Sequence, residues 1–352
     1  MWGYLCKRVL LMIPTLIGVL TLTFLVIQCV PGGPVEQTVQ ELRKAAASGQ
    51  ARQEASAAFA YRAQNGIDAQ QIEQLKALYG FDKPPLERYG LMLLNFARFE
   101  LGESYFHHRS VWSLIVSKLP VSISIGLWTF LLSYLVSVPL GIAKAMHHGS
   151  RFDLISSLVV LSAYAIPGFM LGVLLLVLFG GGSFWQLFPL RGLSSDNWPE
   201  LSLLGKILDY LWHLALPLAA SVLGSFAVIT MLTKNAFLEE VRKQYVLTAR
   251  AKGLPERQVL IKHVFRNALL PLIVGFPAAF IGAFFSGSLL IETLFSLDGL
   301  GLLSYESVLR RDYPVVLGSL YLFTLIGLVA KLLSDLCYVW VDPRIRFGQG
   351  EP

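Results

Sequence analysis

With 352 residues, 55% of them hydrophobic and only 15% charged, against about 25% charged in an average soluble domain, the chain is no ordinary water-soluble protein. A mean hydropathy of +0.59 points to lipid. The formal charge of +6 and pI near 9.2 would suit nucleic acid, but the basic residues track the connections between apolar stretches, which argues against a nucleic-acid partner.

A bilayer core needs about 20 mostly apolar residues per spanning helix, and six stretches qualify: Val9 to Val30, Leu119 to Ala143, Asp153 to Phe179, Trp212 to Leu232, Leu269 to Ile291 and Val315 to Val341. The first follows "CKR" as a signal peptide would. Its apolar run is longer than a signal core, about 7 to 15 residues, and "PGGP" follows it in place of a small-residue cleavage site, so an uncleaved anchor is expected.

Residues 31–118 form an external region on this reading. Segment 35–70 is rich in Ala, Gln and Arg with no strong apolar face, as a loose helix or a disordered stretch would be. Ile72, Leu75, Leu78 and Tyr79 then follow helical spacing, with Gly80 placed as a C-terminal cap. Pro84 and Pro85 precede a second amphipathic helix through Met92 and Phe96. The membrane core spans 119–341, with a basic loop at 233–268 and a tail at 342–352. Pro139, Pro167, Pro217 and Pro277 inside the spans are tolerated where neighbouring groups satisfy the freed backbone.

Lys and Arg in short connections set orientation. With the N-terminus inside, the inner segments hold Lys7 and Arg8, Lys144 and Arg151, eight cations from Lys234 to Arg266, and Arg344 and Arg346. The short outer loops hold four, and the long segment 31–118 translocates regardless of its charge. Both termini are expected in the cytoplasm.

The densest charge lies in "TKNAFLEEVRKQYVLTARAKGLPERQVLIKHVFRNALLP". Phe237, Val241, Tyr245 and Ala249 recur every four residues, Gly253 fits the position past a helix end, and Pro255 fits the first turn of the next. The segment reads as helix, tight turn, helix. Ala249 and Gly253 lie one turn apart and would let another protein come close, with Arg242, Lys243, Arg250, Lys252 and Arg257 around them for an acidic rim. The alternative is an amphipathic helix lying on anionic lipid.

"YVLTARAKGL" followed by "HVFRNALLP" resembles the cytoplasmic coupling loop, the EAA loop, of permease subunits of peptide ABC importers. "RVLLMIPTLIGVLTLTFLVIQCVPGGP", "LYGFDKPPLERY", "LPVSISIGLWTFLLSYLVSVPLG", "ETLFSLDGLGLL", "RDYPVV" and "DPRIR" agree. The resemblance covers residues 1–34 and 71–348 and is to the dipeptide and oligopeptide group, including the Yej-type permeases associated with oligopeptide and microcin C uptake. It implies an all-α membrane protein of the type I ABC-importer architecture in a bacterial inner membrane. It also implies a second related permease, two ATPases that hydrolyse ATP, and a periplasmic or lipid-anchored solute-binding protein. Carried over, the coupling residues are Tyr245, Thr248, Ala249, Arg250, Ala251, Lys252, Gly253 and Leu254. The general pattern has Glu-Ala-Ala six residues before its glycine; here Leu247-Thr248-Ala249 stands before Gly253, so the Glu is absent.

No G-x-x-x-x-G-K-[ST] occurs, so ATP chemistry is expected in other polypeptides and no cofactor in this one. An ion-coupled secondary transporter would place ionisable residues in mid-span; Lys331 and Asp335, one turn apart near the inner end of the last span, read as a mutually neutralising pair. Glu292, at the outer end of the fifth span, is a candidate external gate, or a carboxylate reaching the interface. His107-His108 and His147-His148 are adjacent pairs that do not share a helix face, so no metal site is expected. Nor does any span pair a Ser with a His or Lys base, and His213 reads as interfacial, so the chain is not expected to be an enzyme.

Overall fold

The structure, a computed structural model, describes residues 2–30, 33, 73, 81–180, 184–285 and 288–341. Segment 35–70, the helix expected to end at Gly80 (Glu73 apart) and the tail 342–352 lie outside the described residues. Among the described residues the secondary structure is helical, with one isolated antiparallel bridge between Glu103 and Ser110. They fall into two compact units, one of Trp2–Ser117 with Leu303–Leu325, the other of Lys118–Leu302 with the chain from Ile326.

The first unit begins with α1 (Trp2–Cys29), apolar enough over Cys6–Cys29 to cross a membrane. The helix expected after the prolines is α2 (Pro85–Ala97); Pro84 is extended at its N-cap and Pro85 occupies its first position, where a missing N–H costs nothing. Tyr89 of α2 packs its ring 5.4 Å from Phe24 of α1 and places its hydroxyl 2.5 Å from Thr21 Oγ1. Phe96 is buried beside Tyr321, with ring centroids 5.3 Å apart. Asp312 accepts from Ser104 Oγ at 2.5 Å and from the Tyr105 amide at 3.1 Å, pinning the 103–110 turn.

The second unit holds most of α3 (Val111–Met146), then α4 (Arg151–Ala165), α5 (Gly168–Phe179) and α6 (Leu203–Val241). The span expected over 153–179 is not one helix: α4 and α5 meet at 90°. Pro167 is the reason, since it forces the preceding residue out of the helical region, and Ile166 is extended at φ −88, ψ 119. The span expected over 212–232 is only the middle of α6, whose 39 residues start from a Ser202 cap that accepts from the Gly205 amide at 3.2 Å. Leu214, Leu216, Leu218 and Ala220 of α6 form a core with Ile125, Ile291, Phe295 and Leu297. His213 is also buried, its Nδ1 2.8 Å from the Asp209 carbonyl, and so is not the interfacial residue expected from its position.

After α6 come α7 (Gln244–Ala251), α8 (Glu256–Gln258), a π-turn over Val259–Val264, α9 (Phe265–Ala268), α10 (Leu270–Phe285) and α11 (Leu289–Leu294). The fifth expected span therefore ends early, and Ser288 is extended before α11. α12 (Leu300–Leu309) and α13 (Tyr313–Val341) close the described chain. Among the described residues, four helices are by length and composition able to cross a membrane, or up to six if each bent pair, 151–179 and 256–283, counts as one span.

Candidate coupling site

The basic segment is a small packed body of its own. α6 stops at Arg242 because Lys243 turns to an extended conformation, φ −72 and ψ 149, and α7 starts afresh from it. Phe237, Val246, Ala249, Val259, Val264 and Ala268 then pack together with Ala145 of α3. A polar clasp fastens the two helices across the break. The Tyr245 hydroxyl donates to Glu240, accepts from Asn267 Nδ2 at 3.0 Å, and lies 3.1 Å from the His263 carbonyl. Glu240 is itself buried and takes Lys243 Nζ at 2.5 Å. Burial, and then the Glu240 carboxylate, push the Tyr245 phenol up to about 12, so it stays a donor; the bond to Glu240 holds the Lys243 ammonium above its ordinary range.

The turn is made by Gly253 at φ +75, a conformation that L side chains disfavour. Its amide bonds the Arg250 carbonyl at 2.9 Å, and a Cβ there would meet nothing within 4 Å, so backbone conformation alone demands the glycine. Arg250 closes the turn from the other side with a bidentate pair to Glu256, at 3.1 and 2.6 Å. That bond holds the guanidinium above its ordinary value.

These positions correct two expectations. Ala249 does not present a small face to another protein: it is 6% exposed and points into the segment's own core. The break at Lys243 rotates α7 so that Leu247, Thr248, Ala251, Lys252 and Gly253 are the exposed residues, with Tyr245 and Leu254 half-buried. Arg250 is not a loose rim charge, nor is Lys243; both are paired within the segment. Arg242, Lys252, Arg257, Lys262 and Arg266 are exposed and make no ion pair among the described residues.

Beside this body lies a cluster that the sequence reading missed. Lys144, counted there as an orientation charge, is wholly buried. Its Nζ reaches Asp153 Oδ1 at 3.2 Å, the Asp153 carbonyl at 3.0 Å, and Ser156 and Ser157 Oγ at 2.8 Å each. Lys234 of α6 reaches the same Oδ1 at 2.6 Å. Asp153 Oδ2 accepts from the Gly149 amide at 3.2 Å and lies 3.3 Å from His148 Nδ1, while Ser150 caps α4 by accepting the Asp153 amide. One carboxylate thus ties α3, α4 and α6 together. A Ser–Lys contact therefore does exist, contrary to expectation, but a nitrogen ringed by four acceptors is placed as a donor and not as a base.

Glu292 is not at an open mouth reaching an aqueous boundary. It is fully buried, accepting from Ser122 Oγ at 3.2 Å and from the Leu302 amide at 2.8 Å. Ser122 Oγ in turn accepts the Leu300 amide at 2.9 Å. A Cβ on Gly299 would sit 2.5 Å from the carboxylate, so a side chain there would require the Glu292 carboxyl to move. Burial pushes the Glu292 carboxyl up. Next to it runs a groove of about 930 Å³ between α3, α6 and α10, walled by glycine, alanine and hydroxyl side chains together with larger apolar ones such as Phe130, Phe169, Val228 and Leu290.

Residues 137–347 match the family model described as "Binding-protein-dependent transport system inner membrane component". The chain belongs to that family. It is 53% identical to the "Peptidoglycan transport system permease protein YejB" of Agrobacterium fabrum and 52% identical to the "Inner membrane ABC transporter permease protein YejB" of Escherichia coli O157:H7, each over 99% of both chains. It is 32% identical to the "Dipeptide transport system permease protein DppB" of Escherichia coli K12, over 98% of this chain and 99% of that one. As a binding-protein-dependent permease subunit of the ABC importer type, it implies separate solute-binding and ATPase partners, and the ion-coupled alternative gains no support. The matched residues include the basic segment, the Asp153 cluster and Glu292, whereas the α3 wall of the groove, from Ser122 to Tyr134, precedes them.

Proposed function

We propose that this chain forms one half of the membrane pathway of an ATP-driven importer of peptides or peptide-like solutes, and that the 233–268 segment is its docking element for a separate ATPase. The observation that supports docking is the build of that segment. A buried core, the Tyr245–Glu240 clasp and the Arg250–Glu256 pair hold α7 rigidly, while Leu247, Thr248 and Ala251 stand out between unpaired cations. A segment meant only to rest on lipid needs a continuous apolar face. Here Val246, Ala249, Val259 and Val264 are turned inward, and the exposed apolar residues Leu247, Ile261 and Phe265 are interrupted in sequence by the cations Lys252, Lys262 and Arg266.

The segment lies on the cytoplasmic side in this reading, with both termini, and a second related permease supplies the other half of the pathway. The names of the relatives, which speak of dipeptide and peptidoglycan transport, support a peptide or peptide-like cargo. Glu292 then serves the pathway by fixing the 292–302 turn, not as a mobile gate. The chain carries out no hydrolysis itself, in keeping with the missing phosphate-binding loop. The test is to purify the chain alone and with its ATPase: the isolated chain should bind no ATP and hydrolyse none, and a tight stoichiometric ATP complex of the isolated chain refutes the reading.

A further inference from the structure

The groove beside Glu292 contains an anomaly of hydrogen bonding. Other helical hydroxyls turn back on their own backbone, among them Ser221 to the Pro217 carbonyl at 2.7 Å, Thr233 to Ile229 at 2.7 Å and Ser156 to Phe152 at 2.6 Å, although Thr230 of α6, away from the groove, is also buried without a partner. Thr129 and Ser133 of α3 do not turn back either. Both line the groove, both hydroxyls are buried, and neither has a hydrogen-bond partner. Ser133 as a residue is only 1% exposed. A buried polar group without a partner is costly, so two of them on one wall call for an explanation.

Their spacing supplies one. Residues four apart on a helix lie on one face, about 6 Å apart along the axis at roughly 1.5 Å per residue. An extended peptide repeats equivalent main-chain groups on one side every second residue, about 6.6 Å. Two hydroxyls so placed match two successive main-chain groups of an extended chain. A hydroxyl both donates and accepts, so it serves an N–H or a C=O equally. The Glu292 carboxylate, the one carboxylate among the lining residues, is already engaged by Ser122 and the Leu302 amide. Gly224, Ala279 and Gly282 leave room for side chains, and larger lining residues such as Phe169, Val228 and Leu290 are apolar and carry no charge to select among them.

We infer that Thr129 and Ser133 form a main-chain rail, a site that holds an extended peptide by its amide groups as it passes through the groove, without reading its side chains. This rests on the proposed peptide cargo. It also marks the two as specificity-determining residues: amide-backbone solutes are held, and solutes lacking those groups are not.

The test uses the full importer in proteoliposomes, with tri-alanine and its depsi analogue, in which the second of its two amides is an ester. Thr129→Val and Ser133→Ala keep the shapes and remove only the hydroxyls. Because those hydroxyls bond nothing in the chain, the double variant should assemble and unfold as the parent does. The parent should import tri-alanine faster than the ester, and the double variant should lose about two- to tenfold of that preference per hydroxyl. The binding protein's own preference is common to both and cancels in the comparison. An unchanged preference in the double variant overturns the rail while leaving the peptide reading intact. Loss of the second permease from the purified complex overturns it too, since the hydroxyls would then face that subunit. Failure of the parent to import tri-alanine or other short peptides removes the cargo reading and the rail with it.

Discussion

The Asp153 cluster allows a sharp test of how the inner ends of three helices are held. Two ammonium groups face one carboxylate: Lys234 at 2.6 Å and Lys144 at 3.2 Å, with Lys144 wholly buried and Asp153 5% exposed. Asp153→Ala removes the only carboxylate of the cluster and leaves two like charges together. Removing one partner of a buried ion pair costs about 3–5 kcal/mol. Lys144 keeps its bonds to Ser156, Ser157 and a carbonyl, which places the expected loss at the lower end. Lys234→Met leaves one ammonium against one carboxylate, so it should cost only about 1.5 kcal/mol, the low end for one hydrogen bond to a charged group. The double variant Asp153→Ala/Lys234→Met retains a single orphaned charge in place of two, so it should be no less stable than Asp153→Ala alone. Thermal unfolding of the purified complex, with membrane abundance measured alongside, ranks the three. If Lys234→Met costs as much as Asp153→Ala, or the double variant shows the full additive loss, the cluster is not held by charge balance.

At Gly253 only backbone conformation is at stake, so Gly253→Ala should destabilise the loop by about 1–2 kcal/mol and Gly253→Asn by less; equal stability of Gly253→Ala in thermal unfolding contradicts the positive-φ assignment. Glu292→Gln replaces an acceptor with a donor facing N–H and O–H groups, and should cost about 1–3 kcal/mol in the same assay; a neutral effect means that the carboxylate does not organise the 292–302 turn. Because burial raises the Glu292 carboxyl, the folded state holds that proton to higher pH than the unfolded chain does. Stability from this group is present below the ordinary carboxylate range and is lost as pH rises through the raised value, so Glu292→Gln should flatten that dependence. For topology, with Cys6, Cys29 and Cys337 removed, Ser56→Cys should label from outside intact cells and Gln258→Cys only after permeabilisation; the reverse pattern inverts the orientation.

The helices and the family were legible in the sequence because both depend on local signals: long apolar runs, Pro84–Pro85 before α2, Gly253 and Pro255 at the turn. The bend at Pro167 was legible in principle, since the residue before a proline avoids the helical region. The break at Lys243 was not. "VRKQ" holds neither proline nor glycine, and the four-residue spacing from Phe237 to Ala249 runs straight through it. That spacing placed Ala249 on the face of Phe237, and both are buried; it was the small size of Ala249 and Gly253 that suggested an outward contact, whereas Ala249 packs into the segment's own core. Lys144 and Lys234 illustrate a different blindness. Charge counting assigns every inner lysine to orientation, and the partner that buries Lys234 lies 81 residues away. Glu292 likewise depends on Ser122, at a separation of 170 residues.

The central claim is that the exposed face of α7 meets an ATPase. Ala249→Trp cannot test it, because a buried position would disrupt the segment's own core. Ala251 can, since it is exposed, one turn beyond Leu247, and outside that core. The decisive measurement is ATP hydrolysis stimulated by the loaded binding protein in the assembled complex carrying Ala251→Trp, with Ala251→Ser as control. The account predicts a chain that is inserted and as stable as the parent, normal stimulation in the serine variant, and loss of stimulation in the tryptophan variant. Full stimulation with tryptophan at 251 would show that nothing docks on this face, and the segment would then be an orientation signal alone.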